Sequence, residues 1–572
     1  MRHMRILWPC CLATCYQLCV PAVALSFLPH ETSVAFRTVA LFNEQAPGAP
    51  NGARFGSFTL APSVSSTGNM AFWATLHTGM GGVTSADNEG IWGERSDALE
   101  LVARKGAPAP GIASGAVFEN FNIGHRPARL VNAANQVAFA ATLRGNPLAA
   151  SSRTNDGIWS EGSGSLQLVA RKRTQAPGAP LGARFFAFDH LTFNDDGRVA
   201  FNADVEPNSE DGLPFNFRGI WSDRSGTLEM VASSLNQAPG APLGAHFSSF
   251  GPVSMNRSNQ IAFAANAGVA PLTGYSGIWS EVHGSLAPVA MTGEAAPGTA
   301  MGTRFVRFNS PRMTSSGKVA FDATIEGEGE TMANNGGIWS DRDGALALVA
   351  RLGSEAPGAS PGTRLGSFVL NAFNDSGRVA FISTLQHGSG DVSTSDDTGV
   401  WSDGGGSLAL VAREGSQAPG TPDGAYFSQF RSLSLNNANR VAFWATLQLG
   451  SGGVNPNNNW GLWAQDGFGD LALVARSGNL MEVAPGDFRT VVDLHLGGAS
   501  TGDGRSPLAS TDGITLGFYA SFTDGSSGIF TATVQSRVVP EPAALWLVMP
   551  ALLTIRAGRR QGNPTPGSAG WQ

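Results

Sequence analysis

Cysteine is missing from almost the whole chain. All four cysteines (Cys10, Cys11, Cys15 and Cys19) fall within the first twenty of 572 residues. That segment has the character of a removable export signal, described below, so we expect the mature chain to contain no thiol. Disulfide bonds and thiol catalysis are then excluded from the mature protein.

Charged side chains are scarce as well. Asp, Glu, Lys and Arg make up 14% of the chain, against roughly 25% in an average soluble protein. Lysine occurs only at Lys105, Lys172 and Lys318, and the formal net charge is −7. No basic run in the body of the chain provides a positive field for phosphates, so nucleic acid is excluded as a partner.

The first residues have the order of a secretory signal. A basic start, MRHMR, precedes the apolar stretch ILWPCCLATCYQLCVPAVAL, and Ala22 and Ala24 form an A-x-A cleavage site. A lasting membrane anchor is the alternative, but Pro9, Pro21 and several polar residues make this stretch a poor spanning helix. The pattern predicts a signal peptide over residues 1–24 and export of the protein.

The last residues carry a second sorting pattern, over residues 538–560. Pro540, Glu541 and Pro542 are followed by the apolar segment AALWLVMPALLTI and then by a basic cluster that includes Arg559 and Arg560. This order resembles the PEP-CTERM sorting signal. The resemblance implies a sorting or processing protease at the membrane as a partner.

The apolar part of this signal is too short for a permanent anchor. Its thirteen residues extend about 20 Å as a helix, against a hydrocarbon core of about 30 Å. Pro550 within it, and the predicted disordered tail 561–572 after it, depart from the PEP-CTERM pattern. We expect transient membrane association, followed by a cell-surface or extracellular location.

A repeat fills the chain between the two signals. Ala-Pro-Gly recurs with its glycine at positions 48, 111, 178, 240, 298, 358, 420 and 486, at intervals of 58 to 67 residues. Each unit has four short runs rich in β-branched and aromatic residues, bounded by Gly, Asn and Asp, which is the pattern of strands and turns. The second run contains Val-Ala-Phe, the third contains Gly-Ile-Trp, and the fourth reads LxLVA. With 73 glycines for the turns, the fold class predicted is all-β.

The turn before the second strand carries a family resemblance. Residues Asn194–Phe201 and Asn374–Phe381 match the pattern NxxGxxAF in full. The chain therefore resembles the NxxGxxAF tandem-repeat family, exported proteins that carry assorted cell-surface anchors. The resemblance covers roughly residues 36–534 and implies a sorting context but no reaction.

Strand counting predicts how the repeat closes. Residues 38–42 read as a fourth strand without its unit, and residues 528–534 read as a third strand without a fourth. Pairing these two segments completes an eighth sheet, whereas an open solenoid would need capping repeats. We therefore predict an eight-bladed β-propeller over residues 36–534, with four-stranded antiparallel blades, and a monomer. The Ala-Pro-Gly loops are expected to cross from blade to blade.

Function is expected in the loops between the second and third strands, which share one rim with the Ala-Pro-Gly loops. They are polar, with a few aromatic residues (Phe215, Phe217, Tyr275 and Trp460), a composition that suits polysaccharide; simple solvated loops are the alternative. The segment Ser395–Trp401 only partly resembles a sialidase aspartate box and reads as a polar turn. No catalytic motif or recurring histidine pair is found, so no catalytic residue, cofactor or metal site is predicted.

Two functions remain open at this point. The first is a structural or binding protein of the cell surface or extracellular matrix, with exopolysaccharide as the candidate ligand. The second is a propeller hydrolase or lyase that acts on glycans.

Overall fold

The structure is a computed structural model that describes residues 30–58, 62–95, 98–112, 115–121, 131–145, 156–207, 216–269, 273–309, 311–496, 508–509 and 514–538. The chain divides into two compact units, one formed by Thr32–Gln535 and the other by Met1–Glu31 with Ser536–Gln572. Only residues 30–31 and 536–538 of the second unit are described. The predicted signal peptide with Ala22 and Ala24, and the sorting signal from Pro540 to Arg560, lie outside the described residues.

Every regular element in the described part of the chain is a β-strand, and the strands form eight sheets. We call the sheets blades one to eight in chain order. The strands of blades one to four are Phe55–Phe58 (continued by Ser63–Val64), Met70–Leu76, Glu89–Arg95 and Ala98–Arg104; Val117–Asn120, Ala138–Arg144, Asp156–Ser160 and Gln167–Arg171; Arg184–Phe193, Val199–Glu206, Phe217–Ser222 and Glu229–Ser233; and His246–Met255, Ile261–Val269, Thr273–Ser280 and Ala287–Met291. The strands of blades five to seven are Arg304–Phe308 (continued by Arg312–Met313), Val319–Glu326, Gly336–Ser340 and Ala347–Arg351; Leu365–Phe373, Val379–Leu385, Thr398–Ser402 and Ala409–Arg413; and Phe427–Leu435, Val441–Leu447, Trp460–Gln465 and Leu471–Arg476. Blade eight contains Leu480–Ala484, Asp487–Leu496, Leu508–Ala509, Ile514–Phe522, Ser527–Val538 and, from the start of the chain, His30–Leu41.

Blade eight confirms the predicted closure. The strand His30–Leu41 pairs with Ser527–Val538, and the amide of Phe42 donates to the carbonyl oxygen of Ser527 at 2.8 Å. The first strand of the chain thus completes the last sheet, and the eight sheets form an eight-bladed β-propeller. Joining both chain ends within one sheet ties the ring together without a disulfide and leaves no open end of the array.

The core lies between blades. Eight hydrophobic clusters occur among the described residues, one for each pair of neighbouring blades. In blade three, Phe201 pairs across the sheet with Trp221, and both pack against Ala138 and Ile158 of blade two. Alternation along a strand sends the Phe and Trp of each blade to one face and its small residues to the other. The large residues of one blade therefore pack against the smaller residues of the preceding blade.

The first seven Ala-Pro-Gly loops cross between blades, as predicted, because each joins the fourth strand of one blade to the first strand of the next. A hydrogen bond explains why the proline recurs in these loops. The indole N–H of the Trp in Gly-Ile-Trp, or in its variants Gly-Val-Trp and Gly-Leu-Trp, donates to the Pro carbonyl of the Ala-Pro-Gly loop that opens the same unit. The seven pairs, at 2.9–3.1 Å, are Trp92–Pro47, Trp159–Pro110, Trp221–Pro177, Trp279–Pro239, Trp339–Pro297, Trp401–Pro357 and Trp463–Pro419. Gly48 has φ +74°, and a Cβ there would lie 2.7 Å from the Cβ of Leu101, so only glycine fits.

The eighth Ala-Pro-Gly departs from this arrangement. Residues 484–486 form a tight hairpin turn between the strands Leu480–Ala484 and Asp487–Leu496. The corresponding third strand of blade eight carries Phe530 where the other blades carry Trp, and a phenyl ring has no N–H to donate. The loop is therefore not held by an indole, and its residues pair with the strand that follows.

The Asn of NxxGxxAF links one blade to the next. The Oδ1 of Asn194 accepts from the amide of Arg198 at 2.8 Å and closes its own turn. Its Nδ2 donates to the carbonyl of Asn256 and to the Oδ1 of Asn259, both at 2.7 Å and both in blade four. Asn374 repeats the same bonds toward Asn436 and Asn439 in blade seven. The motif therefore builds contacts between neighbouring turns as well as the hairpins themselves.

Candidate functional site

The propeller has two faces with different contents. The lower face, as we call it, holds the turns between first and second strands and between third and fourth strands. The upper face holds the connections between second and third strands and the Ala-Pro-Gly crossovers. This division follows from the up-and-down order of the strands in each blade.

Acidic side chains on the lower face are used by the scaffold. Glu161 accepts from the amide of Val137 at 2.9 Å and pairs with Arg95 of blade one. The same ion pair between neighbouring blades recurs as Arg224–Glu281 and Arg342–Asp403. Burial raises the pKa of Asp223 and Asp341, which occupy the equivalent position in blades three and five. These acids hold strands and blades together, which directs the search for a binding site to the upper face.

Four of the upper-face connections share one design, although their sequences suggested variable loops. In blade one the amide of Thr84 donates to Asp87 Oδ1 at 2.7 Å, and Arg104 from the fourth strand donates to the carbonyl of Asp87 at 2.8 Å. Blades five, six and seven repeat this with Thr331, Asn334 and Arg351, with Ser393, Asp396 and Arg413, and with Asn455, Asn458 and Arg476. These loops are held by the blade beneath them. Parts of the connections in blades two and three (146–155 and 208–215) lie outside the described residues.

Three of the four aromatic residues assigned to the loops by sequence are strand residues in the structure. Phe217 and Trp460 each begin a third strand, and Tyr275 lies within one, while Phe215 falls outside the described residues. Phe217 is buried in the core between blades two and three. Trp460 is half-buried and stacks on Trp444, with ring centroids 4.4 Å apart. The loop assignment was wrong because the pairing between second and third strands also includes the residues just before Gly-Ile-Trp, toward the upper face. No turn residue in the sequence marks where this pairing ends.

A pocket of about 180 Å³ lies between blades three and four, beside the upper halves of their strands. Its walls are formed by Ala187, Phe188, Asp189, Asn202, Ala203, Asp204, Arg218, Gly219 and Phe250. Asn202 is 8% exposed, and its Nδ2 donates to the carbonyl of Gly251 in blade four at 2.9 Å. Its Oδ1 is buried and has no hydrogen-bond partner among the described residues. We call this space the cleft pocket.

The charges around the cleft pocket sum to one negative charge. Arg218 Nε lies 2.9 Å from Asp204 Oδ1, and Asp189 adds a second carboxylate that contacts His190 at 3.3 Å. Arg218 and Asp189 remain substantially exposed, at 59% and 49% of their side chains. Hydrogen-bond donors and acceptors therefore lie side by side at this pocket. Arg218 falls in one of the predicted loops between second and third strands, where function was expected, whereas Asn202 and Asp189 do not.

A second polar cluster lies on blade six and includes Asp397, a residue of the segment predicted to be a polar turn. Asp396 does cap that turn, but His387 Nε2 lies 2.7 Å from Asp397 Oδ2, and Thr398 donates to Asp397 Oδ1 at 3.1 Å. Burial and then the charge of Asp397 raise the pKa of Glu414 to about 7. Although burial opposes it, hydrogen bonding to His387 and Thr398 holds the pKa of Asp397 below its usual value. We call His387, Asp397 and Glu414 the blade-six cluster.

Metal and membrane sites were searched in the described part of the chain. Within the described ranges, no group of three or more His, Cys, Asp or Glu side chains is arranged to hold a metal ion. No helix long and apolar enough to cross a bilayer occurs among the same residues.

Several solved structures resemble this chain at very low identity and low TM-score. Puromycin hydrolase is 12% identical with a TM-score of 0.34, covering 83% of this chain and 62% of that one. Trypanosoma rangeli sialidase is 9% identical with a TM-score of 0.26, covering 92% and 62% respectively. The polysaccharide lyase Uly1 is 11% identical with a TM-score of 0.31, covering 75% and 93%. The chain thus spans about three fifths of the length of the first two.

Comparison of sequences gives a family. No curated protein matches the chain. The sequence profile of DUF7453, a family of unknown function, matches four overlapping segments, residues 25–151, 129–274, 268–393 and 387–546. These segments together span all eight blades, in agreement with the tandem repeat found in the sequence. The chain is therefore a member of the DUF7453 family.

Proposed function

We propose that this protein is an exported binding protein of the cell surface or extracellular matrix, and that its ligand is exopolysaccharide. Export rests on the two terminal signals, with Ala22 and Ala24 at one end and the Pro540–Pro542 motif at the other. The sorting protease is then a transient partner at the membrane. A monomer suits a ring that already pairs its own first and last strands.

One observation carries the binding role. The residues that recur from unit to unit form the scaffold, as in the bonds of Trp221 to Pro177 and of Asn194 to Asn256. The residues that differ from blade to blade lie toward the upper face, and between blades three and four they leave an open pocket with buried and exposed polar groups. A rigid scaffold that carries a pocket lined by variable residues is the usual construction of a binding site.

A second candidate function, a glycan hydrolase or lyase, is favoured by the blade-six cluster. A carboxyl group with a pKa of about 7 beside a histidine–aspartate pair has the protonation behaviour of a general acid or base. Asp397 and His387 also have a structural role, because they lie at the two ends of one loop and the contact between their side chains joins those ends. Binding without cleavage therefore remains the preferred function.

A glycan array probed with the mature domain, residues 25–538, tests the proposal. Binding to neutral or mixed exopolysaccharide fragments supports it. An array without any saccharide ligand, for a domain that melts cooperatively, would remove the binding role.

A further inference from the structure

The cleft pocket lies where two variable repeat positions carry polar residues in blade three. The residue after Val-Ala-Phe and the residue before Gly-Ile-Trp both face the following blade. In blade seven these are Trp444 and Trp460, whose rings stack on each other, and Trp444 also packs against the core and His495 of blade eight. In blade three they are Asn202 and Arg218, which line an open pocket instead. The two equivalent positions of blade seven, occupied by stacked rings, thus serve as a comparison for the open pocket of blade three.

The amide of Asn202 has a fixed orientation. Its Nδ2 faces two carbonyl oxygens of blade four, that of Gly251 at 2.9 Å and that of Phe250 at 3.5 Å. Rotating the amide would place its oxygen against both carbonyls, so the nitrogen must remain there. The Oδ1 is therefore the amide atom left without a donor, buried in a residue that lines the pocket. Buried acceptors are nearly always satisfied in folded proteins, and a bound ligand that brings a donor would satisfy this one.

The remaining groups indicate what kind of ligand fits. Asp189 and Asp204 accept hydrogen bonds, Arg218 donates them, and Phe188 and Phe250 provide apolar surface. A hydroxyl group can donate to the first two and accept from the third. The excess of carboxylate disfavours an anionic ligand. The volume of about 180 Å³ falls below the roughly 300–1,000 Å³ of pockets for drug-sized ligands, which leaves room for a single ring.

We propose that the cleft pocket binds one uncharged sugar residue, with Asn202 and Asp189 accepting from its hydroxyls and Arg218 donating to one of them. This proposal rests on the proposed function and names its site and ligand class. The sugar residue belongs either to an exopolysaccharide chain or to a free monosaccharide, which share the same chemistry.

Isothermal titration of the mature protein tests the site. The probes are glucose, galactose and mannose, glucuronic acid, and neutral oligosaccharides of the same hexoses. We expect binding of at least one neutral hexose or its oligomer and at least tenfold weaker binding of glucuronic acid. Tighter binding of the oligomer indicates a polysaccharide source, and equal binding indicates a free sugar. Binding of glucuronic acid alone would overturn the proposal.

Variants distinguish this pocket from other surfaces. Asn202→Ala and Arg218→Met should each weaken binding of the neutral sugar at least tenfold, while Ile382→Ala, at the repeat position of Asn202 in blade six, should not change it. Thermal melting identifies any variant that fails to fold. If one pocket variant does not fold, binding by the other pocket variant tests the site. Unchanged binding in both folded pocket variants would refute the pocket and leave the proposed function standing. A wild-type protein that binds no saccharide of any kind would refute both.

Discussion

The indole nitrogen of Trp401 donates a hydrogen bond to the carbonyl oxygen of Pro357 at 3.1 Å. These two residues belong to the two most regular motifs of the sequence, and the bond explains why the motifs recur together. The Ala-Pro-Gly loop enters each blade, and the tryptophan of the third strand fixes it there. A pattern that looked like two separate signatures is one structural unit.

Replacing Trp401 by Phe should destabilise the protein, because a phenyl ring is smaller than the buried indole and has no N–H to donate. The change leaves the part-buried Pro357 carbonyl without its donor, at a cost of up to about 1–3 kcal/mol, and the lost volume adds to this cost. Trp460→Phe serves as the matched control, because its ring stacks on Trp444 and the stacking survives the change. Chemical denaturation should give a clearly lower midpoint for the first variant only. Equal midpoints would mean that the indole N–H contributes nothing.

Phe185 and Phe186 are adjacent in the sequence and differ in burial. Phe185 is 1% exposed and packs on Trp221, whereas Phe186 is 43% exposed. Phe185→Ala should cost about 3–5 kcal/mol, as expected for a large buried aromatic residue. Phe186→Ala should stay within about 0.5 kcal/mol of the wild type. Similar losses of melting temperature in both variants would contradict the assignment of the recurring phenylalanines to packing between blades.

Glu414 should make stability depend on pH. Its pKa is raised from the ordinary 4.5 to about 7 in the folded state, so the folded protein holds this proton more tightly than the unfolded chain. The contribution to stability is complete below about pH 4.5, declines between pH 4.5 and 7, and is lost above pH 7. Glu414→Gln cannot titrate, so its advantage over the wild type should grow as the pH rises through this window. Melting of both proteins at pH 4.5, 6 and 8 measures the difference, and a constant difference would exclude a raised pKa.

Processing at both ends can be measured on native protein. The two signals predict a mature chain that begins near Leu25 and loses its end near Pro540. Intact-mass spectrometry of protein recovered from the cell surface or medium should show both losses. Recovery of the entire C-terminal segment in a permanently membrane-embedded form would contradict the sorting interpretation.

The fold was predictable because its evidence is repeated along the sequence. Eight Ala-Pro-Gly marks and the complementary segments 38–42 and 528–534 specify eight blades and their closure, and the structure has both. The cleft pocket was not predictable in the same way. The pocket depends on the packing of Asn202 and Arg218 near Phe250 of another blade. The local sequence does not indicate which residues of neighbouring blades come close together. Trp460 was assigned to a loop because the length of a strand ladder depends on its partner strand as much as on its own residues.

The blade-six cluster was missed for a related reason. His387 and Asp397 are ten residues apart in the sequence and meet only because a loop folds back between them, with Nε2 and Oδ2 at 2.7 Å. The sequence SDD correctly indicated a turn, with Asp396 as its cap. The following aspartate carries a different contact, which a pattern of turn residues does not distinguish.

The most direct test of the account asks whether the protein binds exopolysaccharide without shortening it. Purified mature protein is incubated with exopolysaccharide from the producing cells, and the polymer's mass is followed by size-exclusion chromatography with light scattering. Wild type and Glu414→Gln are compared, together with a count of new reducing or unsaturated ends. The account predicts co-elution of protein with polymer, an unchanged polymer mass and no new ends with either protein. A falling polymer mass with the wild type that is abolished in Glu414→Gln would contradict it and assign the protein to the glycan-cleaving enzymes.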